Sequence, residues 1–532
     1  MNAQQVTAKS DLVVVYHRQP YEEVTHPDGS VELRENSSPN GIVPTIKGVM
    51  GRMKSASWVA WKHADDPDNP QFEQIIDIDD SYGSYQVNRL PLTEHEVSSF
   101  YHLTSKEAFW PILHGFKERY NYDPVDWDTF RDVNRRFAQA AADAASDDAV
   151  VWIHDYNLWL VPGYLRQLRP DVKIAFFHHT PFPASGMFNV LPWREEIIRS
   201  LLEADSIGFH IPRYAQSFVS VARSLTSART IADQPTDPDM SPRGDALSER
   251  WTPTLMDHHG HTIHIETNPV GVNDSYVEEL TARDGFHQRV QEIRDWVGDA
   301  TMILSVSRTD YTKGNVEQLE TFERLLVRRP ELRGKVRLML VSVGANRAVA
   351  AYDEVQQRIE ELTGRINGTH GSFQWQPVSL ISTAIPMDEL VAYYRAADIC
   401  SITPLADGLN LVAPEYCIAQ GDDGAGVLIL SEFAGSAVLL EGQIPVNPFS
   451  FQAMDKALDA ALEMSGEERR ERMRDLVRSS RRWNITAWSE ATMALFRALR
   501  RGEKPEVTPS SAHASDRTSE IPIVSAPDTS VG

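Results

Sequence analysis

The sequence predicts an α/β protein made of two doubly wound parallel sheets with a cleft between them. Short apolar runs rich in Val and Ile recur along the chain, bounded by polar or glycine-bearing turns, and helical patterns separate most of them. Such alternation indicates parallel sheets that are covered on both faces. The runs form two series, before about residue 268 and after about residue 300, and 532 residues exceed one ordinary core.

Each series supplies its predicted strands in order. The first has LVVVYH (12–17), AVVWIH (149–154), KIAFFHH (173–179) and SIGFHI (206–211). The second has MILSVSR (302–308), VRLMLVSV (336–343), ADICSIT (397–403) and GVLILS (426–431), with helices predicted over 315–329 and 352–366. We therefore expect domains over 11–268 and 269–482. We also predict a C-terminal helix over 483–502 that crosses back to the first domain.

Two segments interrupt this pattern. Residues 226–262 are rich in Pro, Asp, Ser and Arg, and we predict a long surface excursion there. Residues 503–532 are rich in Ser, Pro and Thr without periodicity, which predicts a disordered tail.

The charge balance limits the classes of partner. There are 52 Lys+Arg against 75 Asp+Glu, a net charge of −23. Such a field repels phosphate backbones and anionic lipid, so we expect no nucleic acid and no membrane as partner. A phosphorylated substrate would need locally clustered Arg and Lys.

The cysteines and the first residues bear on the compartment. Cys400 and Cys417 lie in apolar surroundings, which predicts buried free thiols in a reducing compartment. The first residues show no secretory pattern, and no run approaches the length of a membrane span. We expect a cytoplasmic protein.

Two cations follow the first strand of the second series. Arg308 and Lys313, in SVSRTDYTKG, flank the turn into the next helix. Ligands of open α/β sheets bind outside the carboxyl ends of the strands, and a helix N-terminus favours negative charge. The pair suits a diphosphate, and a solvated turn with ordinary surface cations is the alternative.

Two acids follow the strand ADICSIT, in the segment PLADGLNLVAPEY. Asp407 can accept hydrogen bonds from sugar hydroxyls, and Glu415 can accept two from a ribose diol. Between them, a loop that ends in a helix start can offer the backbone N–H groups of Leu411 and Val412. The alternative is a helix cap by Asp407 or Asn410 with an ordinary first-turn glutamate.

Polar residues also follow strands of the first series. Arg18 in YHRQPYEE, Asp155 in WIHDY and His179 in FFHHTPFP each end a strand, and Gly41 comes between a Pro-Asn turn and a helix. A glycine lets backbone approach a ligand closely, although a lone glycine turn is weak evidence. A strand-end histidine is often a capped or core residue. The absence of G-x-G-x-x-G disfavours a nicotinamide cofactor.

Two further segments contain residues that could bind a metal, but we predict no catalytic or metal-binding role for either. Asp77 and Asp79 in IIDIDDSYG form a D-x-D pattern, which we predict to be an exposed acidic loop. The four histidines of DHHGHTIH (257–264) lack accompanying cysteines or H-E-x-x-H, which predicts a hairpin tip. We predict no metal site.

Taken together and in order, several motifs resemble the retaining glycosyltransferases that make trehalose 6-phosphate and glucosylglycerol phosphate. These motifs are WIHDY, FFHHTPFP, SRTDYTKG, RINGTHG and TPLADGLNLVAPEY, and the resemblance covers about residues 11–500. It implies the GT-B fold, with two Rossmann-like domains. It also implies a nucleoside-diphosphate glucose on the C-terminal domain and a phosphorylated acceptor on the N-terminal one, with no further cofactor and no metal.

The resemblance implies site residues on both domains. The implied donor-binding set is Gly41, Arg308, Lys313, Asp407, Gly408, Leu409, Asn410, Leu411, Val412 and Glu415. The implied acceptor-binding set is Arg18, Trp61, Tyr101, Trp110, Asp155 and Arg347, with Arg18 and Arg347 on the phosphate. The implied catalytic residues are His179, Arg308, Lys313 and Asp407, with His179 beside the glucose.

Two branches of this family compete. Trehalose-phosphate synthases typically carry a Ser-Asn-Arg strand end and a Gly-Gly turn, where this chain has YHRQPYEE and SPNGI. Those stretches resemble glucosylglycerol-phosphate synthases, which use ADP-glucose and glycerol 3-phosphate to make an osmoprotective compatible solute. The family commonly has Lys at the position of Pro414, and trehalose-phosphate synthases commonly have Arg at that of Ala406, so this chain lacks both cations near the donor.

The alternatives are a trehalose-6-phosphate synthase, using UDP- or ADP-glucose and glucose 6-phosphate, and a catalytically silent sugar-phosphate sensor or scaffold. A homo-oligomer is left open. The resemblance implies same-face attack on the sugar, with the leaving phosphate helping to deprotonate the acceptor. Cations and a helix N-terminus would then stabilise the departing diphosphate.

Overall fold

The computed structural model describes residues 9–35, 41–240, 246–344 and 350–502, and Arg347 and the tail 503–532 lie outside these ranges. The described chain forms a ten-stranded sheet, a six-stranded sheet and a two-stranded hairpin. The strands of the first half are β1 (Ser10–Val15), β2 (Tyr21–Thr25), β3 (Val31–Glu35), β4 (Ala56–His63), β5 (Ile75–Asp80), β6 (Gly83–Leu92), β7 (Ala145–His154), β8 (Lys173–His178), β9 (Ser206–Phe209), β10 (Arg229–Pro235), β11 (Trp251–His258) and β12 (His261–Thr267). Those of the second half are β13 (Thr301–Arg308), β14 (Val336–Val343), β15 (Val378–Ile381), β16 (Ile399–Ile402), β17 (Val427–Ser431) and β18 (Ile444–Val446).

The helices lie mainly between these strands. In the first half they are α1 (Ile42–Met50), α2 (Glu94–Val97), α3 (Trp110–Leu113), α4 (Trp127–Ala144), α5 (Val161–Leu168), α6 (Ser185–Phe188), α7 (Arg194–Leu201) and α8 (Pro212–Leu225). In the second half they are α9 (Asp274–Thr281), α10 (Phe286–Val297), α11 (Asn315–Arg328), α12 (Ala350–His370), α13 (Met387–Ala396), α14 (Val412–Gln420), α15 (Phe451–Glu463), α16 (Gly466–Arg482) and α17 (Ile485–Arg501). A π-helix spans Ser98–Phe109, and 3-10 turns span Lys117–Arg119, Tyr156–Leu158, Tyr311–Lys313, Pro330–Leu332 and Gly435–Val438.

The two sheets share one strand order. The first contains β6-β4-β1-β7-β8-β9 as neighbouring parallel strands, and the second is β15-β14-β13-β16-β17-β18, parallel throughout. If the six parallel strands of each sheet are numbered in the order in which they occur along the chain, both sheets have the strand order 3-2-1-4-5-6. This is the order of the doubly wound Rossmann fold. Its switch points lie between β1 and β7 and between β13 and β16. The predicted fold class is therefore confirmed.

The predicted apolar runs form the middle of each sheet. Residues 12–15 of β1 are wholly buried, as are residues 150 and 151 of β7, because helices cover both faces. The parallel strands β4 and β6 of the first sheet, and β15 and β18 of the second, were not predicted. In β6 buried and partly exposed residues alternate, so polar side chains interrupt its apolar signal.

Helix α17 returns to the first sheet. Trp488 packs against Trp152 of β7 with ring centroids 5.6 Å apart, and Asn268 donates a hydrogen bond to the Trp488 carbonyl at 3.2 Å. Val272 and Asn484 form an isolated parallel bridge where the chain crosses back. The exact domain bounds stay predictions.

Two predictions of irregular structure were wrong. The excursion 226–262 contains β10 and β11, which extend the first sheet as antiparallel strands beyond β12. Burial there is confined to scattered residues such as Ala232, Leu255 and Met256, so the apolar signal is weak. Asp77 and Asp79 are exposed but lie on the antiparallel edge strand β5 and not in a loop.

Other sequence predictions are confirmed. The histidine segment forms the β11–β12 turn, with His259 and Gly260 in left-handed conformations. Cys400 and Cys417 are buried free cysteines. Within the described ranges, no helix has the length and apolar character needed to cross a membrane.

Candidate active site

The two switch points face each other across one cleft. Asp155 directly follows β7 and Asp407 follows β16, while Arg18 lies just after β1 and Arg308 ends β13. All four line a cavity of about 570 Å³ between the domains. The topology therefore brings the carboxyl ends of both sheets, and their polar side chains, to one place.

Most of the predicted site residues line this cavity. They are Arg18, Gly41, Tyr101, Trp110, Asp155, His179, Arg308, Lys313, Asp407, Gly408, Asn410, Leu411, Val412 and Glu415. Leu409 is buried at 7% exposure and is absent from the cavity wall. Trp61 lines an adjoining chamber of about 370 Å³, which shares Arg18 with the cleft. Binding and catalytic roles for these residues stay predictions.

Asp407 is held by two donors. Lys313 Nζ lies 2.9 Å from its Oδ2, and Asn410 Nδ2 lies 3.2 Å from the same oxygen. Burial alone would raise the pKa of Asp407, but the attraction of Lys313 and these hydrogen bonds outweigh it and lower that pKa. Asp407 is therefore a fixed carboxylate that can accept hydrogen bonds from hydroxyl groups.

The loop after β16 is shaped by close approaches. A Cβ at Gly408 would collide with the carbonyl of His179 in the other domain, so only glycine fits. Tyr214 Oη donates to the Asp407 carbonyl at 3.0 Å, a second contact between the domains. Asn410 adopts φ +78°, and its Oδ1 accepts from Ala413 N at 3.1 Å in the first turn of α14. The capping alternative is thus correct for Asn410, while Asp407 caps no helix.

Glu415 is fixed inside the first turns of α14. It is 6% exposed, and Tyr394 Oη donates to its Oε2 at 3.1 Å. Although α14 carries Pro414 within its first turn, proline is tolerated there because those N–H groups have no partner within the helix. Leu411 and Val412, at the start of the helix, face the cleft.

His179 belongs to a buried group of histidines. Its Nε2 lies 3.0 Å from His154 Nδ1, and its ring lies 5.5 Å from that of His210. Burial lowers the pKa of His179 and of His154 well below the usual value, and lowers that of His210 to about 4. His179 is therefore neutral at physiological pH. It can donate or accept a hydrogen bond, but it does not contribute a positive charge to the site.

Asp155 has an unusual backbone and an unpartnered oxygen. It adopts φ +71° and ψ 165°, a region that is costly for a residue with a side chain. Its Oδ1 is buried and has no hydrogen-bond partner within the part of the chain that the structure describes. Burial raises the pKa of Asp155 to about 6, although Lys106 and Arg18 act in the opposite direction. Strain and an unsatisfied acceptor together make Asp155 a candidate for binding a ligand.

With this geometry established, comparison with known proteins decides the family. A family model described as glycosyltransferase family 20 matches residues 10–498. The chain belongs to glycosyltransferase family 20. It is a glycosyltransferase, and its two parallel-sheet domains are those of the GT-B fold.

The relatives within family 20 fall into two groups. The glucosylglycerol-phosphate synthase of Synechocystis sp. is 45% identical over 480 residues, which cover 90% of this chain and 96% of that protein. A trehalose-6-phosphate synthase of Mycobacterium sp. is 36% identical over 483 residues, covering 91% of this chain and 95% of that protein.

Solved structures of family 20 agree with the fold. The crystal structure of an α,α-trehalose-phosphate synthase (UDP-forming) from Burkholderia vietnamiensis has a TM-score of 0.80 at 27% identity, covering 93% of this chain and 98% of that one. One from Burkholderia xenovorans in complex with glucose-6-phosphate has a TM-score of 0.77 at 27% identity, covering 91% of this chain and 99% of that one.

Several residues that line this cleft were not selected by the sequence analysis, and two of them carry titratable side chains next to the predicted acceptor residues. Lys106 and His114 line the cavity from the π-helix and the residue that follows α3. The resemblance selects Tyr101 and Trp110 and gives no role to the residues between them. No local sequence signal pointed to Lys106, because side chains five residues apart share a face in the π-helix and not in an α-helix.

Proposed function

We propose that the chain transfers glucose from ADP-glucose to glycerol 3-phosphate with retention at the anomeric carbon, giving glucosylglycerol phosphate and ADP. The observation that carries the proposal is the cleft itself, where Arg308, Lys313, Asp407 and Glu415 face Arg18 and Asp155 from the opposite sheet. The choice of acceptor is supported by identities of 43–45% to glucosylglycerol-phosphate synthases, against 34–36% to trehalose-6-phosphate synthases.

On the donor side, the diphosphate would lie between Arg308 and the start of α14. Arg308 is exposed at the end of β13, and no carboxylate pairs with it within the described ranges. The N-terminus of α14 adds backbone dipoles. As the bond to the sugar breaks, negative charge grows on the leaving diphosphate, and these groups stabilise it. Gly41, which precedes α1, would face the diphosphate from the other domain.

The glucose would be held by Asp407 and His179. Lys313 and Asn410 fix the Asp407 carboxylate, so it can accept hydrogen bonds from sugar hydroxyls without reorienting. The same contacts make Asp407 a poor covalent nucleophile, because its charge is already engaged. This supports same-face attack, in which the acceptor oxygen bonds to the anomeric carbon while its proton passes to a leaving phosphate oxygen. No metal or further cofactor is invoked.

On the acceptor side, Arg18 would bind the phosphate and Asp155 would accept a hydrogen bond from a hydroxyl group. Arg18 Nη2 lies 3.5 Å from Tyr101 Oη, which orients it toward the cleft. Contacts between the domains, such as Tyr214 with the Asp407 carbonyl, would help to keep water from the donor.

The test is a matrix of two donors and two acceptors. ADP-glucose and UDP-glucose are each paired with glycerol 3-phosphate and glucose 6-phosphate, and the products are identified by NMR. We expect turnover with ADP-glucose and glycerol 3-phosphate, and an α-linked product. Turnover with glucose 6-phosphate alone would establish the trehalose alternative, and no turnover of any pair would favour a sensor or scaffold. A preference for UDP-glucose would contradict the donor assignment only.

A further inference from the structure

Lys106 is a cation of the cleft to which the sequence motifs give no role. It lies on the π-helix between two aromatic residues of the predicted acceptor site. Its Nζ is 4.2 Å from the ring centroid of Trp110 and 5.5 Å from that of Tyr101. The lysine lines the same cavity as Asp155 and Arg308.

The π-helix holds Lys106 in this place. Five-residue spacing puts Tyr101 and Lys106 on one face, whereas an α-helix would turn them apart. Ser105 Oγ donates to the Phe100 carbonyl at 2.8 Å, and Asn157 Nδ2 donates to Ser105 Oγ at 2.7 Å. These bonds tie the π-helix to the segment after β7, so the position of the lysine is built into the fold.

The surroundings of Lys106 favour the binding of an anion. No carboxylate forms an ion pair with it among the described residues. Burial lowers the pKa of Lys106, and the positive charges of Arg308 and Arg18 lower it further, although Tyr101 and Asp310 oppose them. The cations gathered in this partly dry cleft repel one another, and a bound anionic ligand would offset that cost. The reaction proposed above brings two, the donor diphosphate and the acceptor phosphate.

We propose that Lys106, rather than Arg18, is the main ligand of the glycerol 3-phosphate phosphate, at an inner position of the cleft, and that it thereby selects a short acceptor, a three-carbon polyol phosphate. This rests on the proposed function and deepens it. The donor fixes where the attacking hydroxyl must lie, so the length of the acceptor decides where its phosphate falls. In glycerol 3-phosphate the phosphate lies a few bonds from the free hydroxyls, whereas in glucose 6-phosphate the sugar ring separates it from the anomeric hydroxyl.

The positions of the two cations fit this distinction. Arg18 is exposed and is shared between the cleft and the chamber of Trp61, so it marks an outer phosphate position. Lys106 is half-buried against Trp110, and its charge acts on Asp155, whose pKa it lowers. A phosphate on Lys106 therefore lies near the carboxylate that would receive the acceptor hydroxyl.

The test compares Lys106→Met, which keeps the apolar stem on Trp110 without the charge, with Lys106→Arg, which keeps the charge. Lys117→Met is the control, because Lys117 is exposed on the next turn of the chain. For Lys106→Met we expect the KM for glycerol 3-phosphate to rise about 10- to 100-fold, the usual effect of losing a hydrogen bond to a charged group. The KM for the donor should change less than about twofold, and Lys106→Arg should restore most of the loss.

Selection by acceptor length is tested by a separate inhibition measurement. Glucose 6-phosphate is used as a competitive inhibitor against glycerol 3-phosphate, and its inhibition constant should change less than about threefold in Lys106→Met, because Arg18 holds its phosphate. An equal loss for both phosphates, an unchanged KM for glycerol 3-phosphate, or parallel losses for donor and acceptor would each overturn the inference.

Failure of the proposed function is separable from failure of this inference. A wild-type enzyme that does not turn over glycerol 3-phosphate contradicts the proposed function. The role of Lys106 is then measured by calorimetric titration with inorganic phosphate. Weaker binding to Lys106→Met than to wild type supports an anion site at Lys106, and equal affinities overturn it.

Discussion

The proposed donor side and the proposed acceptor side of the cleft differ in how their polar groups are satisfied. On the donor side, Asp407 is paired with Lys313 and Asn410, and Glu415 receives a hydrogen bond from Tyr394. On the acceptor side, Asp155 Oδ1, Trp110 Nε1 and Trp61 Nε1 are buried without partners within the described ranges.

This difference predicts different consequences of substitution. Groups that bond to one another contribute to stability as well as to binding, so removing one leaves its partner unpaired. Groups without a protein partner cost stability and are retained for a ligand. Donor-side variants should therefore lose activity and stability together, whereas acceptor-side variants should lose activity alone.

The largest effect is expected for Arg308→Ala. Within the described ranges Arg308 has no hydrogen-bond or ion-pair partner that its loss would leave unpaired, so it is the exception on the donor side and tests the catalytic contact by itself. We expect kcat to fall about 10³-fold with either acceptor, because a charge-assisted contact to the leaving group acts mainly in the transition state. Steady-state kinetics measure this, and the melting temperature should stay unchanged.

The control for that variant is Arg135→Ala, which removes an exposed arginine that pairs with Asp132 on α4 and lies over the Tyr164 ring, away from the cleft residues. It should leave kcat unaltered. Near-normal turnover of Arg308→Ala would remove Arg308 from the donor site.

The next effect is expected for Asp407→Asn. The amide keeps the shape but loses the ion pair, so Lys313 is left as a buried cation without its carboxylate. We expect kcat/KM for the donor to fall about 10²-fold and the free energy of unfolding to fall by about 2–4 kcal/mol. Kinetics and urea denaturation measure the two changes.

Lys313→Met/Asp407→Asn is the matched double variant. If the ion pair accounts for the stability, the double variant should unfold at a higher urea concentration than Asp407→Asn alone. If Asp407→Asn were as stable as wild type, the prediction that donor-side variants lose stability together with activity would be wrong.

How much of this site was predictable depends on where each residue stands in the fold. Arg18, Asp155, Arg308 and Asp407 follow apolar strands, and the rule that ligands bind at the carboxyl ends of parallel strands brought them together without a structure. The general α/β organisation was predictable for the same reason, because buried parallel strands are nearly continuous apolar runs.

The rest was hidden by weak or misleading local signals. The strands β10 and β11 belong to a sheet edge where only scattered residues are buried, so their sequence looks irregular. Lys106 belongs to a π-helix, where five-residue spacing aligns side chains and the usual helical period does not. The pairing of Asp407 with Lys313 joins residues 94 positions apart, a contact that no local pattern contains.

The smallest change in rate, and the sharpest contrast, is expected for Asp155→Asn. If Asp155 accepts a hydrogen bond from the acceptor hydroxyl, the amide should lower kcat/KM for the acceptor about 10- to 30-fold and leave the KM for the donor unchanged. The wild-type value should rise with pH through about 6, because only the ionised carboxylate is a full acceptor. The variant should lack that rise.

Replacing Asp155 should change the free energy of unfolding in the opposite direction to replacing Asp407. Burial raises the pKa of Asp155 from 3.8 in the unfolded chain to about 6 in the folded one, so folding favours the protonated carboxyl. That contribution is complete below pH 4 and is lost as the pH rises to about 6, at a cost on the order of 2–3 kcal/mol. The amide of Asp155→Asn does not ionise, so the variant does not lose this stability as the pH rises. In urea denaturation the variant should be more stable than wild type at pH 7, and the difference should vanish near pH 4. Equal stability of the two proteins at both pH values would show that Asp155 is satisfied without a ligand and that the acceptor side is no more strained than the donor side.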